Sequence, residues 1–181
     1  MYIKLFVNLT SKTWAIPILS NLHEGVAGRQ APLLAATGAS RTAFSQSLNH
    51  LISLGLLERN PGYGHPLRPE FRLTPHGVTA AALANKIWGV STDEDQGLLR
   101  RSWTLPVLTA LHTPRHFNEI KRSLPTITDR ALSQSLKSME LRNWVSRSVD
   151  EVTRPPRSIY CAVNTGGMIS SVTASQISFG H

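Results

Sequence analysis

Thr128-Asp129-Arg130-Ala131-Leu132-Ser133-Gln134-Ser135-Leu136-Lys137-Ser138-Met139 is the stretch whose spacing decides the fold. Leu132, Leu136 and Met139 recur at i, i+4 and i+7, which makes one buried helical stripe. Asp129, Arg130, Ser133, Gln134 and Lys137 fall on the opposite face. Thr128 stands before them as an N-cap, its oxygen able to accept from the first free N–H groups of the helix. Long hydrogen-bonding side chains in place of Glu/Lys pairs are what a helix reading base edges presents. The bland alternative is an ordinary solvated face.

Upstream, Phe117–Leu124 predicts a short second helix behind the turn Pro125-Thr126-Ile127-Thr128. Trp103–His112 predicts a first helix, with Val107, Leu108 and Leu111 on one side. Pro106 is cheap there only if the helix begins near Trp103, where backbone N–H groups lack partners; otherwise the helix must kink. Both possibilities stay open. Downstream, Trp144–Val149 and Ser158–Val163 predict two short strands around Asp150-Glu151-Val152-Thr153-Arg154-Pro155-Pro156-Arg157. Three helices and a hairpin with a basic tip form the winged helix-turn-helix arrangement. The expected class is mainly α with small β-wings (α+β).

The same order occurs 89 residues earlier (103 − 14). Trp14-Ala15-Ile16-Pro17-Ile18-Leu19-Ser20-Asn21-Leu22-His23 and Trp103–His112 are identical at five of ten positions. Phe44-Ser45-Gln46-Ser47-Leu48 then matches Leu132–Leu136, and His65–Phe71 matches Arg154–Tyr160. The period exceeds the roughly 20–50 residues of solenoid repeats and is the length of a small domain. The earlier copy predicts helices at Trp14–His23 and about Gln30–Ala36, then the turn Thr37-Gly38-Ala39-Ser40. Its third helix has the stripe Phe44, Leu48 and Leu51, with Arg41, Thr42, Ser45, Gln46 and Asn49 outward. Strands near Leu56–Arg59 and Glu70–Thr74 flank a loop carrying His65 and Arg68, and an alanine-rich helix follows over Pro75–Trp88. The expected organisation is two tandem winged helix-turn-helix domains, 1–90 and 100–168, forming a pseudodimer. An acidic linker, 91–99, separates them, and 169–181 is a C-terminal tail ordered only by packing on something else.

The net charge of +8 points to a polyanionic partner. Residues 1–95 carry 8 Lys/Arg against 6 Asp/Glu, and residues 96–181 carry 11 against 5, so the second half is expected to attract phosphate more strongly. No apolar run reaches the roughly 18 residues of a membrane span, and the start lacks the features of a signal peptide. The expected location is cytoplasmic, at the nucleoid, with no membrane association. The single cysteine, Cys161, excludes an intramolecular disulfide and reads as a small buried hydrophobe. His112 and His116 are four apart, but Pro114 interrupts the helix that would align them as metal ligands. With no phosphate-cradling glycine loop, nucleophile elbow or paired catalytic carboxylates, neither an enzyme nor a cofactor is expected.

These residues resemble the HxlR-type family of bacterial winged-helix transcription regulators, relatives of the MarR group. Pro114-Arg115-His116-Phe117-Asn118-Glu119-Ile120 is similar to the family's Arg-Phe-Asn-Glu-Leu signature, with His116 inserted. Trp103–Leu111, Leu124–Leu136, and Arg154–Arg157 with Tyr160 resemble its opening helix, its turn and recognition helix, and its wing. The earlier copy lacks the Arg-Phe-Asn-Glu segment but keeps Leu73-Thr74-Pro75-His76-Gly77, like the family's Leu-Thr-x-x-Gly ending. The resemblance implies double-stranded DNA as partner and leaves room for an unknown small-molecule effector. On it, the DNA-binding residues are Ser40, Arg41, Thr42, Ser45, Gln46, Asn49, His65 and Arg68 in the first copy. In the second they are Thr128, Asp129, Arg130, Ser133, Gln134, Lys137, Arg154 and Arg157. Family members are usually single-domain homodimers; here both copies share a chain, which acts as a monomeric pseudodimer or dimerises again, for instance through Pro75–Trp88. The alternative is a protein-interaction module, similar to the tandem winged-helix subunits that clasp kleisin chains in chromosome condensation and need no basic reading face.

Overall fold

The computed structural model describes residues 1–62, 68–124, 126–151 and 155–179. By internal contacts the chain divides into Asn8–Gly89 and a second unit made of Val90–His181 with Met1–Val7. Helix α1, Ile3–Thr10, spans the division.

In Asn8–Gly89, α2 (Ala15–His23) starts directly after Trp14, so Pro17 lies in its first turn. The missing N–H there costs nothing, and the Ile18 N–H donates to the Trp14 carbonyl at 3.0 Å. No kink is needed. α3 (Gln30–Thr37) ends at Gly38, whose φ of 66° suits a residue without a Cβ. Ser40 caps α4 (Arg41–Ser53), its Oγ accepting from the Ala43 N–H at 3.3 Å. Phe44, Leu48 and Leu51 are buried, as the stripe predicts. β1 (Leu57–Asn60) pairs antiparallel with β2 (Glu70–Leu73), and Arg29, just ahead of α3, bridges to Glu70. α5 (Pro75–Gly89) packs along α2 through Ala80, Ala81, Leu83, Ala84 and Ile87. The small residues of α5, named as one route to a further dimer, are buried within the unit. They let α5 approach so closely that a Cβ on Gly77 would collide with the Leu56 carbonyl oxygen.

In the second unit a 3-10 turn, Asp93–Asp95, leads into α6 (Gln96–Leu99) and α7 (Thr104–Ala110). Pro106 again occupies the first turn, and the Val107 N–H donates to the Trp103 carbonyl at 3.0 Å. β3 (Arg115–His116), α8 (Phe117–Ser123), α9 (Asp129–Leu141), β4 (Val145–Asp150), β5 (Arg157–Ala162) and α10 (Asn164–Ala174) follow. The sheet order is β3-β5-β4, with Arg115 opposite Tyr160 and Asp150 opposite Arg157. Two residues leave no alternation to detect, so β3 has no counterpart among the expected strands. The core is built on Leu105, Leu108, Ile120, Leu132, Leu136, Met139, Trp144 and Ile169, all nearly inaccessible. Each such large apolar side chain contributes about 1.5–3 kcal/mol by leaving water. α10 packs on α7, and a Cβ on Gly166 would collide with the Trp144 carbonyl oxygen.

Three sequence expectations change here. The segment 91–99 is part of the second unit rather than a free linker. Asp95 is 3% exposed, caps the turn through Thr92, and accepts from Arg142 at the end of α9 at 2.9 Å. Burial works against its charge, but the Thr92 N–H, Arg142 and the Thr92 hydroxyl together hold its carboxyl below the usual range. Hydrogen bonds to Asp95 and Glu94 in turn push the Arg142 guanidinium up. The tail expected over 169–181 continues α10 as far as Ala174 and is then tied to the N-terminus. The Met1 ammonium donates to the Gln176 carbonyl at 2.8 Å, and Tyr2 forms a parallel bridge with Ser178. Cys161 is half-buried rather than buried.

Moving the acidic turn into the second unit also removes the expected charge imbalance. Asn8–Gly89 carries 7 Lys/Arg against 3 Asp/Glu, and the second unit 12 against 8, so each has a net +4.

Candidate nucleic-acid interface

α9 is held from both ends. Thr128 Oγ1 accepts from the Ala131 N–H at 3.2 Å, closing the N-terminus, and Arg142 anchors the C-terminus to Glu94 and Asp95. Lys121 of α8 meets Asp129 at 2.6 Å across the turn between the two helices, and Arg101 donates to Ser138 at 2.9 Å. Both partners of the Lys121–Asp129 pair are largely solvated, so it sets geometry more than stability. With its buried stripe inward, α9 exposes Asp129, Arg130, Ser133, Gln134 and Lys137. The Asp129 carboxylate is committed to Lys121. Arg130, Ser133, Gln134 and Lys137 make no side-chain hydrogen bond or ion pair with another described residue.

The hairpin completes the surface. Arg157 stands exposed at the start of β5 with no partner among the described residues. Arg147 of β4 donates to Ser158 Oγ at 2.9 Å and lies over the Tyr160 ring at 5.9 Å, a packed rather than free cation. His116 links all three strands. Its Nδ1 is 3.1 Å from the Ser158 carbonyl and its Nε2 is 3.4 Å from Asp150, while its own N–H donates to Glu119 at 2.7 Å and caps α8. Among the described residues no cluster of His, Cys, Asp or Glu is arranged to hold a metal ion. Among the described residues no helix is long and apolar enough to cross a membrane.

α4 presents a similar face in its own unit. Arg41, Thr42, Gln46 and Asn49 are exposed and unpaired among the described residues, whereas Ser45 is half-buried. Ser40 is occupied as a cap, like Thr128. Arg68, between β1 and β2, is exposed. His65 and Arg154 lie outside the described residues.

Sequence reasoning did not single out the side chains of α8. Asn118 and Arg122 of α8 and Arg157 of β5 border one cleft of about 480 Å³. The only sequence signal was the pair Lys121-Arg122 directly after the Phe-Asn-Glu-Ile motif.

Residues 98–180 match the HxlR-like helix-turn-helix family. The match holds α7 to α10, including the turn, the exposed α9 face and the hairpin, and it does not extend into Asn8–Gly89. It supports a DNA-binding transcription regulator for the HxlR-like unit. No curated protein and no solved structure matches the chain.

Proposed function

We propose that the chain is a sequence-specific DNA-binding transcription regulator of HxlR type, built from two tandem winged helix-turn-helix units. The observation that carries this reading is the exposed face of α9 inside the HxlR-like match. Arg130, Ser133, Gln134 and Lys137 leave their hydrogen-bonding capacity unspent on a helix fixed at both ends. Arg and Lys neutralise phosphates, and Gln offers a donor and an acceptor together to adenine N7 and N6.

The tandem reading rests on features that recur by packing rather than by composition. From α2 and from α7 onward, leaving aside the two-residue β3, the order is helix, helix, helix, hairpin, helix. Gly77 and Gly166, also 89 apart (166 − 77), each bring the last helix against the carbonyl preceding the hairpin. Ser40 and Thr128 cap equivalent helices. Arg29 and Arg115 each pair with the returning strand just ahead of the second helix. On this reading α4 and α9 are two recognition helices, Gln46 and Gln134 are equivalent readers, and the chain acts as a covalent pseudodimer.

The test is fluorescence anisotropy of the full chain on duplex DNA over a range of NaCl concentrations. Arg130→Ala and Arg157→Ala should each weaken binding to all sequences and flatten the slope of log K against log salt by about one. An affinity and slope unchanged in both variants would sink the interface assignment.

A further inference from the structure

The first turn of α9 carries a charge of the wrong sign for a polyanion. Asp129 opens the helix directly after the Thr128 cap, one residue before Arg130, and its side chain is 67% exposed. The N-terminal residues of a recognition helix are the ones that reach base edges. A carboxylate there is repelled by phosphate and by every acceptor in the groove. In the free chain Lys121 of α8 screens it at 2.6 Å. Both partners are largely solvated, so little holds the pair closed. A phosphate that draws Lys121 away leaves the carboxylate to find a donor on the DNA. The donors in the major groove are the amino groups of cytosine and adenine. Beside the adenine amino group lies N7, an acceptor that would face the second carboxylate oxygen; beside the cytosine amino group on the same base lies a C–H. Cytosine is therefore the base that a carboxylate takes without meeting a second acceptor.

We propose that Asp129 is a specificity-determining residue that selects cytosine at one position of the bound site, with Lys121 as its counter-ion in the free chain. The assignment rests on the DNA-binding reading above and deepens it. In the first copy Arg41 stands in the place of Asp129, and a guanidinium fork takes the O6 and N7 of guanine instead.

Selections from random duplexes with the full wild-type chain and with Asp129→Ala identify the position that depends on residue 129. Anisotropy on four duplexes differing at that position then gives the affinities. Wild type should prefer cytosine there by about tenfold. Asp129→Ala should bind the other three duplexes several-fold more tightly than wild type does and the cytosine duplex no more tightly, which erases the preference. Asp129→Asn, whose amide pairs with adenine N6 and N7 together, should move the preference to adenine. Lys121→Gln should weaken binding to all four duplexes and keep cytosine first, because it removes the cation and not the reader. Circular dichroism and urea denaturation check that each variant folds. A uniform gain on all four duplexes in Asp129→Ala would make Asp129 a repulsive charge only and overturn the proposal. A dependent position occupied by another base, or a cytosine preference lost in Lys121→Gln, would overturn it too. In these cases Arg130→Ala and Arg157→Ala still weaken binding and the DNA-binding reading stands. A wild-type chain without affinity for duplex DNA would overturn both.

Discussion

Two neighbouring glycines in α10 should respond to the same substitution with opposite sign. An ideal Cβ at Gly166 would fall 2.8 Å from the Trp144 Cβ and 2.9 Å from its carbonyl carbon, with the carbonyl oxygen closer still. Carbon atoms in contact sit at about 3.5–4.0 Å, so α10 must move away by roughly 1 Å. Trp144 is 2% exposed and leaves the backbone no slack, and the movement stretches the 2.8 Å bond from the Val163 N–H to the Trp144 carbonyl. Overpacking costs about 1–3 kcal/mol and a weakened hydrogen bond about 1, while the better helix former returns about 0.5–1. Gly166→Ala should therefore lose about 1–3 kcal/mol net. At Gly167 the nearest atom to such a Cβ is the Ala162 oxygen at 3.4 Å, an ordinary contact. Gly167→Ala should gain up to about 0.5–1 kcal/mol. Urea denaturation of the full chain, followed by circular dichroism and tryptophan fluorescence, measures both. Gly77→Ala should behave like Gly166→Ala, because the Leu56 carbonyl blocks its Cβ in the same way. A Gly166→Ala variant within about 0.5 kcal/mol of wild type, or one more stable than Gly167→Ala, would refute the close-approach argument.

Gln134→Ala should relax base preference at one position of the bound site by about 1–3 kcal/mol in a selection from random duplexes, while phosphate-driven affinity falls little; an unrelaxed consensus would confine Gln134 to the backbone. Asp95→Asn should lower stability at pH 7 by about 1–3 kcal/mol, since it removes charge-assisted bonds to Arg142 and the turn. The Asp95 carboxyl is depressed on folding, so its contribution is complete above the ordinary value of 3.8 and is lost as pH falls below it. The gap between wild type and variant should therefore narrow in acid, and a gap independent of pH down to full protonation would disprove the assignment.

What could be read in the sequence was whatever had a local period or a local stop. The stripes at Phe44/Leu48/Leu51 and Leu132/Leu136/Met139, the caps Ser40 and Thr128, and the strands around each basic loop need only neighbours along the chain. The role of Pro17 and Pro106 was ambiguous because a proline fits either a first turn or a kink, and only where the helix begins decides which. β3 was invisible at two residues, its partner Tyr160 being 45 positions away (160 − 115). The acidic stretch looked like a linker because a run of Asp and Glu normally seeks water; Arg142, 47 residues on, is what makes Asp95 buriable. Beyond the Lys121-Arg122 pair the cleft had no signature, since Arg122 and Arg157 come to one lining only through the pairing of β3 with β5.

On the tandem reading, placing the acidic turn in the second unit bears on the two proposed reading faces. With a net +4 on each unit, total charge gives neither half an advantage, and any difference must come from the exposed residues themselves. These do differ. Arg41-Thr42 stands where Asp129-Arg130 does, and Asp129 is neutralised by Lys121 whereas Arg41 has no partner among the described residues. The buried repeats, by contrast, are the same: the tryptophan–proline start, the capped third helix, the glycine under the hairpin. On the tandem reading this division follows from packing. A change at Gly166 or Leu132 meets close-packed neighbours and costs about 1–5 kcal/mol, whereas a change at Arg130 or Gln46 meets solvent and is usually within about 0.5. In a homodimer a substitution on the reading face appears twice and keeps the site palindromic. In a covalent pair it appears once, so the two faces diverge at no cost to the scaffold, and the DNA they select together becomes asymmetric.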